Sequence, residues 1–589
     1  MARTDPHSYF DDAQPRTRHV EVAWRVDFAR RLVEGRLTLH LEGGSGPLDL
    51  DTKGLAIASV TAGGTALPFA LAEEEPVRGR RLRLELPAGA REVVIAYRTS
   101  PDSPALQWLE PAQTETGRHP FLFSQCQAIH ARALAPLQDS PRARFSFAAE
   151  VEVPAPLTAV MSAGPAGRRE GPGTNTFSFR MPQPIPPYLL ALAVGEMEPR
   201  DLSPRSRVFA EPSLVERAAW EFAEIETMMA TAEGLFGPYE WDRFDMLVLP
   251  PSFPYGGMEN PRMTFLTPTI IAGDRSLVDV VSHELAHSWT GNLVTNATID
   301  HFWLNEGFTV WADRRIQEAL HGPEKAAFDW VIGGNGLKLA LERFGEGSPL
   351  TRLRTDLAGQ DPDDAYSQVP YEKGARLLAA LERAVGRPRW DAFVRAYIDR
   401  FRFTSITTEE FMAFLDSRLP GASAEVDAAR WLHEPGLPAS SPVFSSPALE
   451  RLAALAGGWE RGERPGPEAA AWTPAELLVY LQRLPRALDG PGCAFLDAAF
   501  GLTRCSNYEV LVEWLTLAAA SDHEPAFARL REVLGRVGRM KYLRPLYGAL
   551  GHSPRTRALA REIFAAHGHR YHATSRRLVE SVMASYPPE

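Results

Sequence analysis

HELAHSWTGNLVTNATIDHFWLNEG, residues 283–307, decides how the rest of this chain is read. Its first five residues follow the pattern H-E-x-x-H. On a helix, His283 and His287 stand one turn apart on the same face, close enough to share one Zn²⁺. Eighteen residues then separate His287 from Glu306. That is enough for the first helix to end, for the chain to turn at Gly291 and Asn292, and for a second helix to bring Glu306 alongside. Two histidines and a glutamate leave the fourth tetrahedral position to water, the mark of a catalytic zinc; a structural site is more often closed by cysteines. Glu284, near that water without being a ligand, is placed to take its proton and pass it to a leaving amine. Asp313, seven residues after Glu306 and so on the same helix face, is either a hydrogen-bond partner for a ligating histidine or a solvated carboxylate.

Working outward, helical patterns dominate from Val278 onward, and Ser213 to Phe236 reads as one long helix. Between them, Phe244 to Leu266 is β-patterned, which points to a small sheet beside a helical lobe. Towards the N-terminus the period changes to two. Val20, Val22, Trp24, Val26 and Phe28 alternate, as do Leu37, Leu39 and Leu41, and Leu82, Leu84 and Leu86; each series reads as a strand with one buried face. Val93 to Tyr97, Phe145 to Val153 and Phe177 to Arg180 continue the theme, so an all-β domain is expected over 1–197. A catalytic zinc domain follows over 198–432. The Pro- and Ser-rich run LHEPGLPASSPVFSSP, starting at Leu432, has the composition of a connector, placed at 433–448. Beyond it, over 449–589, Thr473-Pro474-Ala475-Glu476 combines three helix-start signals. Tyr508 to Ala520, Pro525 to Leu534 and Pro554 to Ala566 read as stacked antiparallel helices, without a strict repeat.

Composition limits the function classes. A chain of 589 residues with 44% hydrophobic and 23% charged residues is a multidomain globular protein. A formal charge of −11 argues against a general nucleic-acid binder, which needs surplus cations to meet phosphates. Three cysteines, Cys126, Cys493 and Cys505, give no disulfide framework and suit a reducing compartment. No signal-peptide-like or membrane-spanning run is seen, so the expected location is the cytoplasm, with no membrane partner.

The block 283–311, HELAHSWTGNLVTNATIDHFWLNEGFTVW, occurs with QCQAIH (125–130), YGGMEN (255–260), DPDDAYSQVPYEKG (361–374) and GRMKYLRPL (538–546). In this order, across most of the chain, the blocks resemble the gluzincin aminopeptidases, in the branch of leukotriene A4 hydrolase and aminopeptidase B. The resemblance implies a multidomain α+β fold: an N-terminal β-saddle domain, a thermolysin-like zinc catalytic domain and a C-terminal all-α domain of armadillo/HEAT-like helices. It implies one Zn²⁺ per monomeric chain and short peptides, tripeptides among them, as substrates. Glu259 would pair with the free α-amino group, with Gln127 helping to hold that end, while Gly256 and Gly257 let backbone lie close along the substrate. Gln125, Tyr255 and Met258 join the substrate-binding set by the same resemblance. Tyr371 would donate a hydrogen bond to the developing oxyanion. Arg539 and Lys541 match the basic pair that receives a peptide's C-terminal carboxylate; a solvated basic turn is the plain alternative.

Asp363 and Tyr366 match positions that shape the inner pocket and the epoxide chemistry of the leukotriene branch. A bifunctional aminopeptidase and epoxide hydrolase is therefore the second reading, although the same aspartate could bind a basic first side chain. An endopeptidase and a peptide-binding scaffold without chemistry are the remaining alternatives.

Overall fold

The computed structural model describes residues 5–587; residues 1–4 and 588–589, the outer ends of the first and last expected domains, lie outside the described residues. The alternating series near the N-terminus form an eight-stranded sheet. Its centre is Arg16–Asp27, which pairs in parallel with Phe145–Pro154 and antiparallel with Leu32–Glu42. Val20, Val22, Trp24 and Val26 all point inward, as do Leu37, Leu39 and Leu41 on the next strand. Each such side chain withdrawn from water stabilises the fold by about 1.5–3 kcal/mol. Phe28 falls outside the strand, in the turn that reverses the chain. A three-stranded sheet containing Arg80–Leu86 and a four-stranded sheet containing Phe121–Ser124 complete the β region.

From Glu198–Ser203 onward the strands join a different, five-stranded sheet, ending at the edge strand Gly257–Met258. The stretch read as one helix over Ser213 to Phe236 is instead two, Val215–Glu221 and Ile225–Phe236. The two pieces pack on different partners: Val215–Glu221 lies on the strands Glu198–Ser203 and Ser206–Ala210, whereas Ile225–Phe236 also packs on the helices Trp303–His321 and Arg387–Phe401. The helix starting at Thr473 has its capping box in place, and Tyr508–Ala520 is helical over the span read from sequence. The next helix begins at Phe527 rather than Pro525, because a 3₁₀ turn, Glu524–Ala526, takes up the proline.

One apolar core runs from Val20 through Trp303 and Phe308 to Leu432, uniting the β region with the helical lobe. A second core, from Ala448 to Val579, fills the C-terminal helices and takes Phe328 from the lobe. The C-terminal region reaches back by main-chain pairing: the Gly538 and Met540 N–H groups donate to the Pro251 and Pro254 carbonyls, both at 2.8 Å. A Cβ on Gly538 would stand 2.5 Å from the Ser252 carbonyl oxygen, so the approach needs glycine. That approach sets Arg539 against Gly256. Among the described residues no helix is long and apolar enough to cross a membrane.

Candidate active site

His283 and Glu284 lie on the helix Asp279–Ala286, and His287 caps it while keeping helical dihedrals. The chain turns at Gly291, whose φ of +123° suits glycine; a Cβ there would also meet His287 Nδ1 at 2.5 Å. Glu306 sits in the first turn of the next helix, Trp303–His321. The structure thus brings the three candidate ligands together. His283 Nε2 and His287 Nε2 are 3.2 Å apart, and each is 3.4 Å from Glu306 Oε2. Ligands held at zinc's usual bond lengths in a tetrahedron are about 3.3 Å from one another, so this triangle fits the ion. Glu306 Oε2 and Glu284 Oε2 are both shut off from solvent without a hydrogen-bond partner among the described residues. Buried polar atoms left open in this way mark a place made for another group.

His287 Nδ1 lies 3.1 Å from the Thr290 carbonyl, which can only accept, so Nδ1 carries the proton and Nε2 is free to ligate. Burial opposes a charge on Glu306, but the two histidines more than offset it and hold its carboxyl at about 2. Asp313 makes its hydrogen bond to the Ser282 hydroxyl rather than to a histidine ring; burial pushes its carboxyl up to about 7. Burial also lifts Glu284 well above the usual carboxylate range; Glu259 and Glu306 add to the effect, while His287 and Arg539 oppose it.

The glycine pair beside Glu259 has a local reason. A Cβ on Gly257 would collide with the Glu284 carboxylate, and one on Gly256 would stand 2.6 Å from Arg539 Nη2. Whatever these glycines offer a substrate, they first make room for two charged side chains. Gly257→Ala should therefore displace Glu284 and lower kcat by about 10²-fold while the circular dichroism spectrum stays native; a kcat within threefold of wild type would refute the packing argument. Glu259 follows directly. Its Oε1 accepts from Gln127 Nε2 at 3.1 Å, and its carbonyl from Asn292 Nδ2 at 2.8 Å. Gln125 and Met258 are both buried, with Gln125 Nε2 3.2 Å from Met258 Sδ, so they support the edge strand from inside.

Tyr371 lies on a five-residue π-helical turn, Val369–Lys373, leading into the helix Gly374–Val385. This segment crosses the Glu306 helix where Gly307 meets Gly374; a Cβ on Gly307 would be 2.8 Å from the Gly374 Cα. The close crossing lays the Tyr371 ring parallel to His283, 6.4 Å away, and edge-on to Tyr366 at 6.0 Å. Burial raises the Tyr371 phenol well above its usual pKa, so it remains a donor. Tyr255 packs edge-on against Tyr366.

Arg539 and Lys541 part company. Arg539 is buried, bonded to the Tyr542 hydroxyl at 2.6 Å, with its guanidinium beside Gly256. Lys541 is exposed and paired at 2.8 Å with Glu509, whose carboxylate also lies 3.5 Å from Arg539 Nη1. Asp363 accepts from His130 Nε2 at 3.1 Å and from Arg577 Nη2 at 3.0 Å. Reasoning from sequence missed Arg577, Glu509 and Asn292 as neighbours of the site. Asn292 lies in the quoted block beside the glycine turn, whereas nothing local marks Arg577, 214 residues from Asp363.

A two-histidine, one-glutamate triad with an adjacent free glutamate, set between a β region and a helical region, defines a three-domain zinc metallopeptidase. Comparison with known proteins gives the family. Residues 16–189 match the Peptidase M1 N-terminal domain, 220–431 the Peptidase family M1 domain and 472–583 the Leukotriene A4 hydrolase C-terminal domain. The chain belongs to the M1 peptidase family, in the three-domain form that ends in a leukotriene A4 hydrolase-type helical domain. It is 38% identical to Leukotriene A-4 hydrolase of Xenopus laevis, over 92% of this chain and 93% of that one. It is likewise 38% identical to Leucine aminopeptidase 2 of Sclerotinia sclerotiorum, over 98% and 99%. The solved yeast LTA4 hydrolase in complex with bestatin superposes with a TM-score of 0.92 at 32% identity, covering 99% of this chain and 97% of that one.

Proposed function

We propose that this chain is a zinc aminopeptidase that removes the first residue of short peptides, tripeptides among them. The observation that carries the reading is the Glu259 carboxylate, steadied by Gln127 and lying within 4.8 Å of Glu284 and of the ligand His287. An α-amino group has a pKa of about 7.7–8.0 and is largely a cation at neutral pH, so a buried carboxylate favours it strongly. The edge strand Gly257–Met258 has an unpaired side to which an extended peptide can add. His283, His287 and Glu306 would hold one zinc ion, which when bound supplies a Lewis acid that acidifies water. Glu284, with its unpartnered Oε2, takes the proton of the attacking water and returns it to the leaving amine. Tyr371 donates to the developing oxyanion. Arg539, rather than Lys541, meets the far carboxylate of a short peptide.

The test compares leucine p-nitroanilide with its N-acetylated form, with and without a chelator. Only the free amine should be hydrolysed, chelation should stop it, and Glu259→Gln should cut kcat/KM by about 10²-fold. An acetylated substrate cleaved as fast as the free one would make this an endopeptidase and sink the role of Glu259.

The apolar cavity that carries Asp363 and Tyr366 favours one second reading, hydrolysis of a lipid epoxide. A dihydroxy product above the spontaneous rate would establish it. We take 1–197, 198–432 and 449–589 as the three domains, joined at 433–448, because the strands change sheet at 198 and regular structure lapses between His433 and Pro447. Free cysteines support a cytoplasmic setting, and the reading takes the chain as a monomer without nucleic-acid or membrane partners.

A further inference from the structure

Gln127 and Tyr255 line a cavity walled further by Ile299, Phe302, Leu353 and Leu357. Gln127 lines this cavity and also bonds Glu259, so the cavity adjoins the place where the amino group is held. On the aminopeptidase reading, a first side chain, one carbon from that amine, would extend into it. Asp363 is the carboxylate on its wall. A lone carboxylate in an apolar cavity would recruit a basic side chain. Asp363 is not alone. Its Oδ2 takes hydrogen bonds from His130 of the β region and from Arg577 of the last helix, Ala573–Ala584. The carboxylate is only 8% exposed, whereas the guanidinium reaches it from a half-exposed position. Arg352 is a further basic residue lining the same cavity. A lysine or arginine first side chain would bring a second full cation to a carboxylate already paired with Arg577, and like charges in a partly dry cavity repel.

We propose that Arg577 determines specificity: by pairing with Asp363 it reserves the cavity for apolar first side chains and excludes lysine and arginine. Arg577 acts through Asp363 and is a positioning residue, not a catalytic one. The proposal rests on the aminopeptidase reading above.

The experiment measures kcat/KM for arginine and leucine p-nitroanilides with the zinc-loaded enzyme. The wild type should favour leucine. Arg577→Ala should raise the arginine-to-leucine ratio by about tenfold, Arg577→Lys should keep the wild-type ratio, and adding Asp363→Asn to Arg577→Ala should cancel the gain. An unchanged ratio in Arg577→Ala, or a wild type that already prefers arginine, overturns the proposal. Arg577 is half exposed, so unfolding midpoints near wild type are expected and check that the fold is kept. If neither anilide is hydrolysed by any variant, the aminopeptidase reading has failed. The cavity is then judged by calorimetric binding of argininamide and leucinamide: a shift towards argininamide in Arg577→Ala supports the pairing, and no shift overturns it.

Discussion

Glu284→Gln should lower kcat for leucine p-nitroanilide by about 10²–10⁴-fold while the protein keeps its zinc and its fold, the range lost when a positioned general base is removed. The substitution keeps the shape of the side chain and removes its basicity. Glu284 Oε2 makes no hydrogen bond among the described residues, so the native structure loses no partner by the change. Gly257, whose missing Cβ makes room for the carboxylate, accommodates an amide of the same size. Nor is Glu284 needed to hold the metal, because His283, His287 and Glu306 already form a triangle of the right dimensions without it. Metal analysis should therefore return one zinc per chain in both proteins, and thermal unfolding midpoints should agree. Turnover within tenfold of wild type would remove Glu284 from the reaction. Loss of zinc together with activity would show instead that it serves the site's integrity. Replacing His287 is a less informative experiment, since it removes ligand and activity at once.

The difference between what could be read early and what could not follows from the range of the interactions. His283 and His287 share a helix face because of a four-residue spacing, and the turn at Gly291 with the helix after it brings in Glu306; all of this is local and was legible. The strands around Val20 and Leu37 were legible for the same reason, a period of two over a single element. The break at Phe222 was not, because it serves packing against residues far along the chain. Gly256 and Gly257 were legible as important but not for their immediate reason, which is the place they leave for Glu284 and Arg539. Lys541 shows the same limit. In sequence it looks equivalent to Arg539, two residues away; in the fold Glu509, from another helix, meets both, but Lys541 stays exposed while Arg539 is buried beside Gly256. Asp363 looked like an open carboxylate until His130 and Arg577 arrived from two other parts of the chain.

Tyr371→Phe should reduce kcat by about 10²–10³-fold and leave KM within a factor of about three, as expected when one donor to a developing oxyanion is removed. The ring has structural work apart from its hydroxyl: it lies parallel to His283 and edge-on to Tyr366. Phenylalanine retains those contacts, so zinc content should be unchanged, and any stability lost with the hydroxyl should be near 1 kcal/mol. The hydroxyl's own contribution appears only as charge builds on the substrate oxygen, which is why the loss should fall on kcat and not on ground-state binding. The direction of the pKa shift adds a second check. Burial raises the phenol above its ordinary value of 10.0, so Tyr371 is protonated throughout the neutral and mildly alkaline range. Ionisation would abolish the donor, and a raised pKa moves that event to still higher pH. Wild-type activity should thus show no alkaline fall below about pH 10 that Tyr371→Phe removes. A KM that rises with kcat unchanged would assign the tyrosine to substrate binding. An alkaline limb near pH 8 that is present in the wild type and absent from the variant would show that the phenol titrates far lower than its burial dictates.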